Sequence, residues 1–417
     1  MSFYADLHIH SRFAGACSKQ ITLENLEKYA KIKGLNLLGT GDFTHPTWYK
    51  EIVNSLQEDE NGILRSKSGF PFLWQTEISL IYTQGGKGRR VHHLVLAPTK
   101  YVVEQIIDLL GKRGRLDYEG RPIFGLSSIE FLEMMRSISK DIEIIPAHAW
   151  TPWFSIFGSR SGFDSIKECF QEKASHIHAI ETGMSSDPQM NWRISMLDKT
   201  NLVSFSDMHS FWPWRIGREA TIFEGPLEYK SIIHAIRTAE GLKGTIEVDP
   251  GYGKYHVDGH RVCGVSLTPK ETQKYNGICP KCKKPLTIGV LSRVEQLADR
   301  PKDYVEKNRP SFTKIIPLTE LIAAFYSISQ LTSKKVWQTY NQLINALDSE
   351  FDVLLHASKE QLASIVDVKL AEVIIKNRQQ QIEIRPGFDG VYGTPILSAA
   401  QKDSTKQRSI SDFKIPL

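Results

Sequence analysis

Over the first three fifths of the chain, short apolar runs alternate with stretches in which apolar residues recur every three or four positions. The runs include 4–10, 35–39, 70–82, 89–96, 142–148, 176–181 and 201–209, and their length and flanking turn residues predict strands. The stretches between them predict helices. In 22–33, Leu23, Leu26, Tyr29 and Ala30 form one apolar face, Thr22 stands at the N-cap position and Gly34 at the end. Helices are likewise predicted over 101–110 and 128–139, and Gly85-Gly86-Lys87-Gly88 forms a tip between two strands. From residue 318 onward only the helical period remains, over 318–327, 336–347, 359–366 and 370–378. A glycine-rich, cysteine-bearing stretch near 251–282 separates the two regimes, and residues 386–393 read as a loop dense in turn residues. The expected fold class is α/β, with parts at 1–249, 250–312 and 313–395, followed by a polar tail, 396–417, expected to be flexible.

A length of 417 residues allows two or three domains with sizeable cores, and a hydrophobic share of 41% suits a globular protein. No apolar run approaches the ~20 residues of a membrane span. The N-terminus lacks the basic and apolar regions of a signal peptide, so the expected location is cytoplasmic, at the nucleoid. Five cysteines, three of them in one short segment, do not make a disulfide framework. A net charge of +5 permits a nucleic-acid partner but argues for one only where the charge is clustered.

The chemistry sits at the strand ends. Alternate residues of a strand share a face, so His8 and His10 project together and can hold one metal ion. Later runs deliver Asp42 with His45, Glu77, His148, Glu181, and Asp207 with His209. Glu77 lies among apolar strand residues, where an acid is costly unless it is paired or ligates a metal. Of the adjacent His92 and His93 only one can face such a site, and His93 is preferred. A set of histidines and carboxylates suits zinc or manganese. Adjacent ions activate water and clamp an in-line phosphoryl displacement, so phosphoester hydrolysis is the expected reaction. Asp207, His209, His148 and Glu77 are the expected catalytic residues, with His209 or His148 as the proton donor to the leaving oxygen.

A second metal set follows. His260-x2-Cys263 and Cys279-x2-Cys282 have the spacing of a closed structural zinc site, with His256 competing for the histidine position. Lys281, Lys283 and Lys284 crowd the second knuckle, and Arg293, Arg300, Lys302, Lys307 and Arg309 follow, together predicting a phosphate-backbone contact. The helices from residue 359 to 378 look like a worn helix-hairpin-helix, with Asp367-Val368-Lys369 in place of the usual Gly-x-Gly turn. Lys376 and Arg378 are candidate DNA contacts there. In the tail, Gln407, Ile410 and Phe413 resemble a sliding-clamp-binding peptide without its doubled aromatic.

The ordered set His8-x-His10, Asp42 with His45, Glu77, His92 or His93, His148 and Asp207-x-His209 resembles the polymerase-and-histidinol-phosphatase (PHP) metallophosphoesterases. That resemblance implies a distorted seven-stranded (β/α) barrel with up to three catalytic ions, often zinc, with manganese or magnesium able to substitute. It implies ligation by His8, His10, Glu77, His148, Asp207 and His209. It leaves Asp42 and His45 as alternatives, and Glu181 as a ligand or a ligand's partner. The acid usual after the first motif is missing, with Cys17 near its place. The succession of barrel, zinc module and helical part is similar to the endonuclease Q family, on Gly39-Thr40-Gly41-Asp42-Phe43-Thr44-His45-Pro46, Ser206-Asp207-Met208-His209 and Gly259-His260-Arg261-x-Cys263-Gly264. The resemblance implies a monomeric DNA repair nuclease acting on double- or single-stranded DNA. It would nick 5′ of hypoxanthine, uracil, xanthine or an abasic site. Trp48, Tyr49, Trp150, Trp153, Trp212 and Trp214 are then candidates to stack on a lesion base, and Arg215 and Arg218 to hold phosphates.

Overall fold

Residues 2–397 are described in the computed structural model of the chain, and the clamp-like peptide at Gln407, Ile410 and Phe413 lies outside them. The first strand, Ser2–Asp6, is the middle of a mixed eight-stranded sheet. On one side it pairs parallel with Leu37–Gly39, which pairs parallel with Pro71–Leu73. On the other it pairs antiparallel with Ala220–Glu224, followed by Leu242–Glu247 and Ser311–Lys314. A four-stranded sheet carries Ile123–Phe124, Gln75–Gln84, Lys87–Leu96 and Glu143–Pro146, and Ala179–Glu181 pairs parallel with Asn201–Val203. Helices join these strands, so the fold is α/β.

The predicted helix at 22–33 is present as Leu23–Lys33. The Thr22 hydroxyl accepts the Asn25 N–H at 3.1 Å, and Gly34 closes the helix at φ 97°, a conformation that costs glycine little. Two readings change. The run 70–82 is not one strand, because the chain passes between sheets at Trp74, leaving Pro71–Leu73 in one and Gln75–Gln84 in the other. The hydrogen-bonded first strand also stops at Asp6; His8 and His10 sit on its extended continuation, anchored by a bridge between Ile9 and Met208. No helix among the described residues is long and apolar enough to cross a membrane.

The C-terminal helices Leu318–Phe325, Lys334–Leu347, Lys359–Ile365 and Val368–Arg378 pack back onto the first helix through one buried ion pair. Lys33 Nζ donates to Glu350 Oε1 and to the Pro213 carbonyl, each at 2.7 Å, while Glu350 also accepts Leu318 N–H and Tyr340 O–H. Lys33 and Glu350 are both buried. Glu350→Ala leaves the ammonium uncompensated and is expected to cost about 3–5 kcal/mol. Urea unfolding would read the loss, and Lys33→Met in the same chain should recover much of it.

Candidate metal centre

Glu77 is the hub. Fully buried, its carboxylate stands 2.9 Å from His92 Nδ1, 3.1 Å from His148 Nε2, 3.3 Å from His10 Nε2 and 3.6 Å from His8 Nε2. Asp207 Oδ1 lies 3.1 Å from His10 Nε2 and 3.7 Å from His8 Nε2. The donors form two trios, His8, His10 and Asp207 beside Glu77, His92 and His148, each with ligand atoms within 4.8 Å of one another.

Two further carboxylates aim the first trio. Glu181 Oε1 lies 2.9 Å from His8 Nδ1, and its other oxygen accepts the His148 backbone N–H at 2.6 Å. Asp42 Oδ1 lies 3.0 Å from His10 Nδ1, and Oδ2 accepts the Ser11 N–H at 2.6 Å. With each Nδ1 engaged, both Nε2 atoms turn toward Glu77 and Asp207, as ligating histidines are commonly oriented. His8 Nε2 is buried without a hydrogen-bond partner, a position a cation would satisfy. The donors therefore fit divalent metal.

The charges respond to one another. Burial would raise the Glu77 carboxyl, yet His92, Arg121 and His8 hold it well below the usual range. Burial pushes His92 down to about 4 against the pull of Glu77, so its imidazole is neutral and free to ligate. Asp42, His148 and Asp207 carry positive φ of 38°, 29° and 45°. Such conformations cost non-glycine residues energy and concentrate at functional sites.

Several expected residues lie elsewhere. His93 faces away from Glu77, 2.9 Å from Ser128 Oγ and packed against Phe131 and Phe170; His92 takes the place expected of it. The hairpin register explains this, since Glu77 pairs with Leu94 and Ser79 with His92, putting His92 on the Glu77 side. His45 stacks on Phe13 at 4.1 Å and belongs to neither trio, whereas Asp42 orients His10. Burial pushes the Cys17 thiol up, and Cys17 too stands outside the trios. His209 lies beside His10, ring centres 4.9 Å apart, and is about one third exposed.

Most of the expected stacking aromatics are core. The Trp48 indole donates to the Thr40 and Gly41 carbonyls, Trp150 donates to Asn191, and both are buried. Tyr49 donates to Glu104 at 2.7 Å and stacks on Trp74. Trp212 and Trp214 stack 5.4 Å apart and meet Trp337, gluing the Lys334–Leu347 helix to the loop after His209. Only Trp153 of the six lines the main cavity, 560 Å³ in volume, with Tyr255, Tyr392, Lys254, Arg215 and the His92, His148, Asp207 and His209 side chains.

Several arginines bind carbonyls instead of facing solvent. Arg218, which also lines that cavity, is largely buried and donates to the Ser206 carbonyl. Arg378 donates to the Val353, Leu354 and Ala357 carbonyls. Arg293 is buried against the Phe157 and Phe163 carbonyls, and Arg300 pairs with Asp198. Lys376, Lys281, Lys283 and Lys284 are exposed. At the worn hairpin Asp367 accepts the Lys369 N–H at 2.8 Å, so a carboxylate occupies the helix start where a phosphate would bind.

His260, Cys263, Cys279 and Cys282 converge with ligand atoms within 4.8 Å, and Cys282 Sγ is 3.4 Å from His260 Nδ1. His256 is not in that group.

Arg121 and the pair Glu219 and Glu247 have no counterpart in the sequence reading. Glu247 is buried, with Thr182 and Ser204 hydroxyls donating to it at 3.0 Å each and Thr245 at 2.6 Å. Burial pushes its carboxyl from 4.5 up to about 8. The folded state thus holds this proton more tightly than the unfolded chain. The stability it contributes is complete below 4.5 and lost as pH rises through about 8. Glu247→Gln should flatten that decline in urea midpoints taken between about pH 5 and about pH 9.

Residues 317–381 match the MJ0043 C-terminal domain family. The chain is 35% identical over 252 residues to the protein MJ0043 of Methanocaldococcus jannaschii, over 59% of this chain and 31% of that one. It thus spans about a third of that relative's length. The crystal structure of the lesion-specific endonuclease PfuEndoQ from Pyrococcus furiosus matches with a TM-score of 0.85 and 31% identity over 100% of both chains. The chain belongs to the endonuclease Q family. A second endonuclease Q structure, a complex with a 27-mer duplex bearing an abasic lesion at its active site, covers 98% of this chain and 100% of that one, with TM-score 0.86 and 31% identity.

Proposed function

We propose that this chain is a metal-dependent, lesion-specific endodeoxyribonuclease that hydrolyses the phosphodiester 5′ of a deaminated base or an abasic site. The nick leaves a 3′-hydroxyl. The observation that carries the reading is the end-to-end likeness to endonuclease Q, including its complex with abasic duplex, joined to a buried cluster of histidines and carboxylates at the cavity. Ions held by the two trios supply Lewis-acid charge and an activated water at neutral pH. Zinc, with manganese or magnesium able to substitute, suits the donors. Glu181 and Asp42 keep the imidazoles of His8 and His10 aimed at the ions. His209, beside His10 and partly open to the cavity, would hand a proton to the leaving oxygen. Trp153, Tyr255 and Tyr392 offer aromatic surface to a base drawn out of the duplex.

In this reading residues 1–249 form a PHP-type barrel and 250–312 a module closed by one structural zinc on His260, Cys263, Cys279 and Cys282. Residues 313–395 form a helical part, and Lys281, Lys283, Lys284, Lys376 and Arg215 meet the DNA backbone. The test is to strip the full-length protein of metal, reload it and offer a duplex carrying one abasic site, with a sugar phosphate in a parallel reaction. Nicking 5′ of the lesion supports the reading. An intact duplex, with phosphate released from the sugar, would overturn it in favour of a metabolite phosphatase.

A further inference from the structure

Arg121 is delivered to the metal cluster by its neighbours on both sides. Ile123 pairs with Ser79 in the strand that carries Glu77, and the Pro122 carbonyl accepts the Ser79 N–H at 3.0 Å. On the other flank Gly120 is pressed into the first turn of the site, its N–H donating to the Phe13 carbonyl at 3.1 Å. A Cβ at position 120 would stand 2.4 Å from Asp42 Oδ2 and 2.8 Å from the Ala14 nitrogen, so only glycine fits. Between these clamps the Arg121 guanidinium reaches Glu77 Oε2 at 2.9 Å. Its other N–H groups have no protein acceptor among the described residues, and the side chain keeps 24% exposure.

A structural counter-ion for Glu77 does not account for this arrangement. The carboxylates of Asp42, Glu77, Glu181 and Asp207 would be engaged by divalent ions held at the two trios. Once Glu77 serves a metal, its charge is shared with that ion, and the guanidinium at its side is left under-compensated. The guanidinium is then a positive group beside the cluster, and a phosphodiester entering the cavity is an anion that can meet it. We infer that Arg121 binds the scissile phosphate, sharing its non-bridging oxygens with the metal centre and stabilising the charge that develops on them. Glu77 holds the guanidinium in place until substrate arrives. A planar fork of donors suits phosphate oxygens better than the point charge of lysine. The inference rests on the proposed phosphodiesterase reading, and its test separates the two.

The experiment uses full-length wild type, Arg121→Gln and Arg121→Lys, each loaded with manganese, with metal content measured by plasma mass spectrometry. Inorganic phosphate binding is followed by calorimetry, and kcat and KM are taken on an abasic duplex. Arg121→Gln should keep its metal and its melting temperature yet bind phosphate about tenfold more weakly. Its kcat should fall on the order of 10²–10³-fold, as for loss of one preorganised transition-state donor. KM for the duplex should barely move, and Arg121→Lys should recover part of kcat. Unchanged phosphate affinity and kcat would overturn the inference, as would loss of metal from Arg121→Gln, which would make the arginine a support for Glu77. If the wild type fails to nick, the phosphodiesterase reading falls, and phosphate binding alone still decides the role of Arg121.

Discussion

Glu77→Gln is expected to abolish nicking and to empty the two trios of metal, while any ion on His260, Cys263, Cys279 and Cys282 remains. The substitution keeps the shape of the side chain and removes the one carboxylate that both trios approach. Several kcal/mol of lost charge stabilisation, at about 1.4 kcal/mol per decade, corresponds to a fall on the order of 10³-fold or more. Carboxylates that meet the cluster's imidazoles through Nδ1 should matter less. Asp42→Asn or Glu181→Gln still accepts a hydrogen bond from its histidine, and each is expected to cost about 10–100-fold. Rate and metal content measured on the three variants would reveal the gradient. Equal losses at Glu77 and at Asp42 would contradict a hub.

The second large effect is expected at Cys279. The core of its module among the described residues consists of Val265, Cys279 and Leu286, and its strands Asp258–His260 and Val265–Leu267 are short. Two buried aliphatic side chains contribute about 1.5–3 kcal/mol each. Ordering the backbone costs about 1–2 kcal/mol for every residue, so this core cannot hold the tip without metal. Cys279→Ser should therefore remove one zinc per chain and open the segment between His260 and Lys284 to proteases. The base of the module should persist, because Asp258 accepts the Gly289 N–H and the Ser292 hydroxyl, each at 2.6 Å. Binding to duplex DNA should weaken through the exposed lysines of the second knuckle, and the main thermal transition should stay in place. Retention of zinc, or a protease-resistant tip, would show that the four residues do not form a zinc site.

Much of the centre was legible because a strand states its geometry in its spacing. His8 and His10 share a face by alternation, and acids among apolar strand residues stand out wherever burial is certain. The same logic, carried one step further, distinguishes His92 from His93. A two-residue turn at Gly85-Gly86 pairs Gln84 with Lys87, and counting outward one residue at a time sets His92 opposite Ser79, which shares a face with Glu77 by alternation. Arg121 offered no such signal, since its position depends on a glycine packed against residues a hundred positions earlier. The large aromatics and arginines misled for a common reason. Trp48, Trp150 and Trp214 lie near site strands in sequence, but their bulk is used in the core, where each indole of the first two finds an acceptor. Arg218 and Arg378 satisfy backbone carbonyls, a demand set by chain paths that no local pattern reveals.

The most direct measurement is a titration of metal-stripped, full-length protein with manganese. Bound ions and nicking of a duplex carrying one abasic site are read on the same samples. The expected result is cleavage 5′ of the lesion that rises with ions bound beyond any held by His260, Cys263, Cys279 and Cys282, and disappears again in chelator. Full cleavage by protein holding no ion at the two trios would contradict a metal centre built on Glu77.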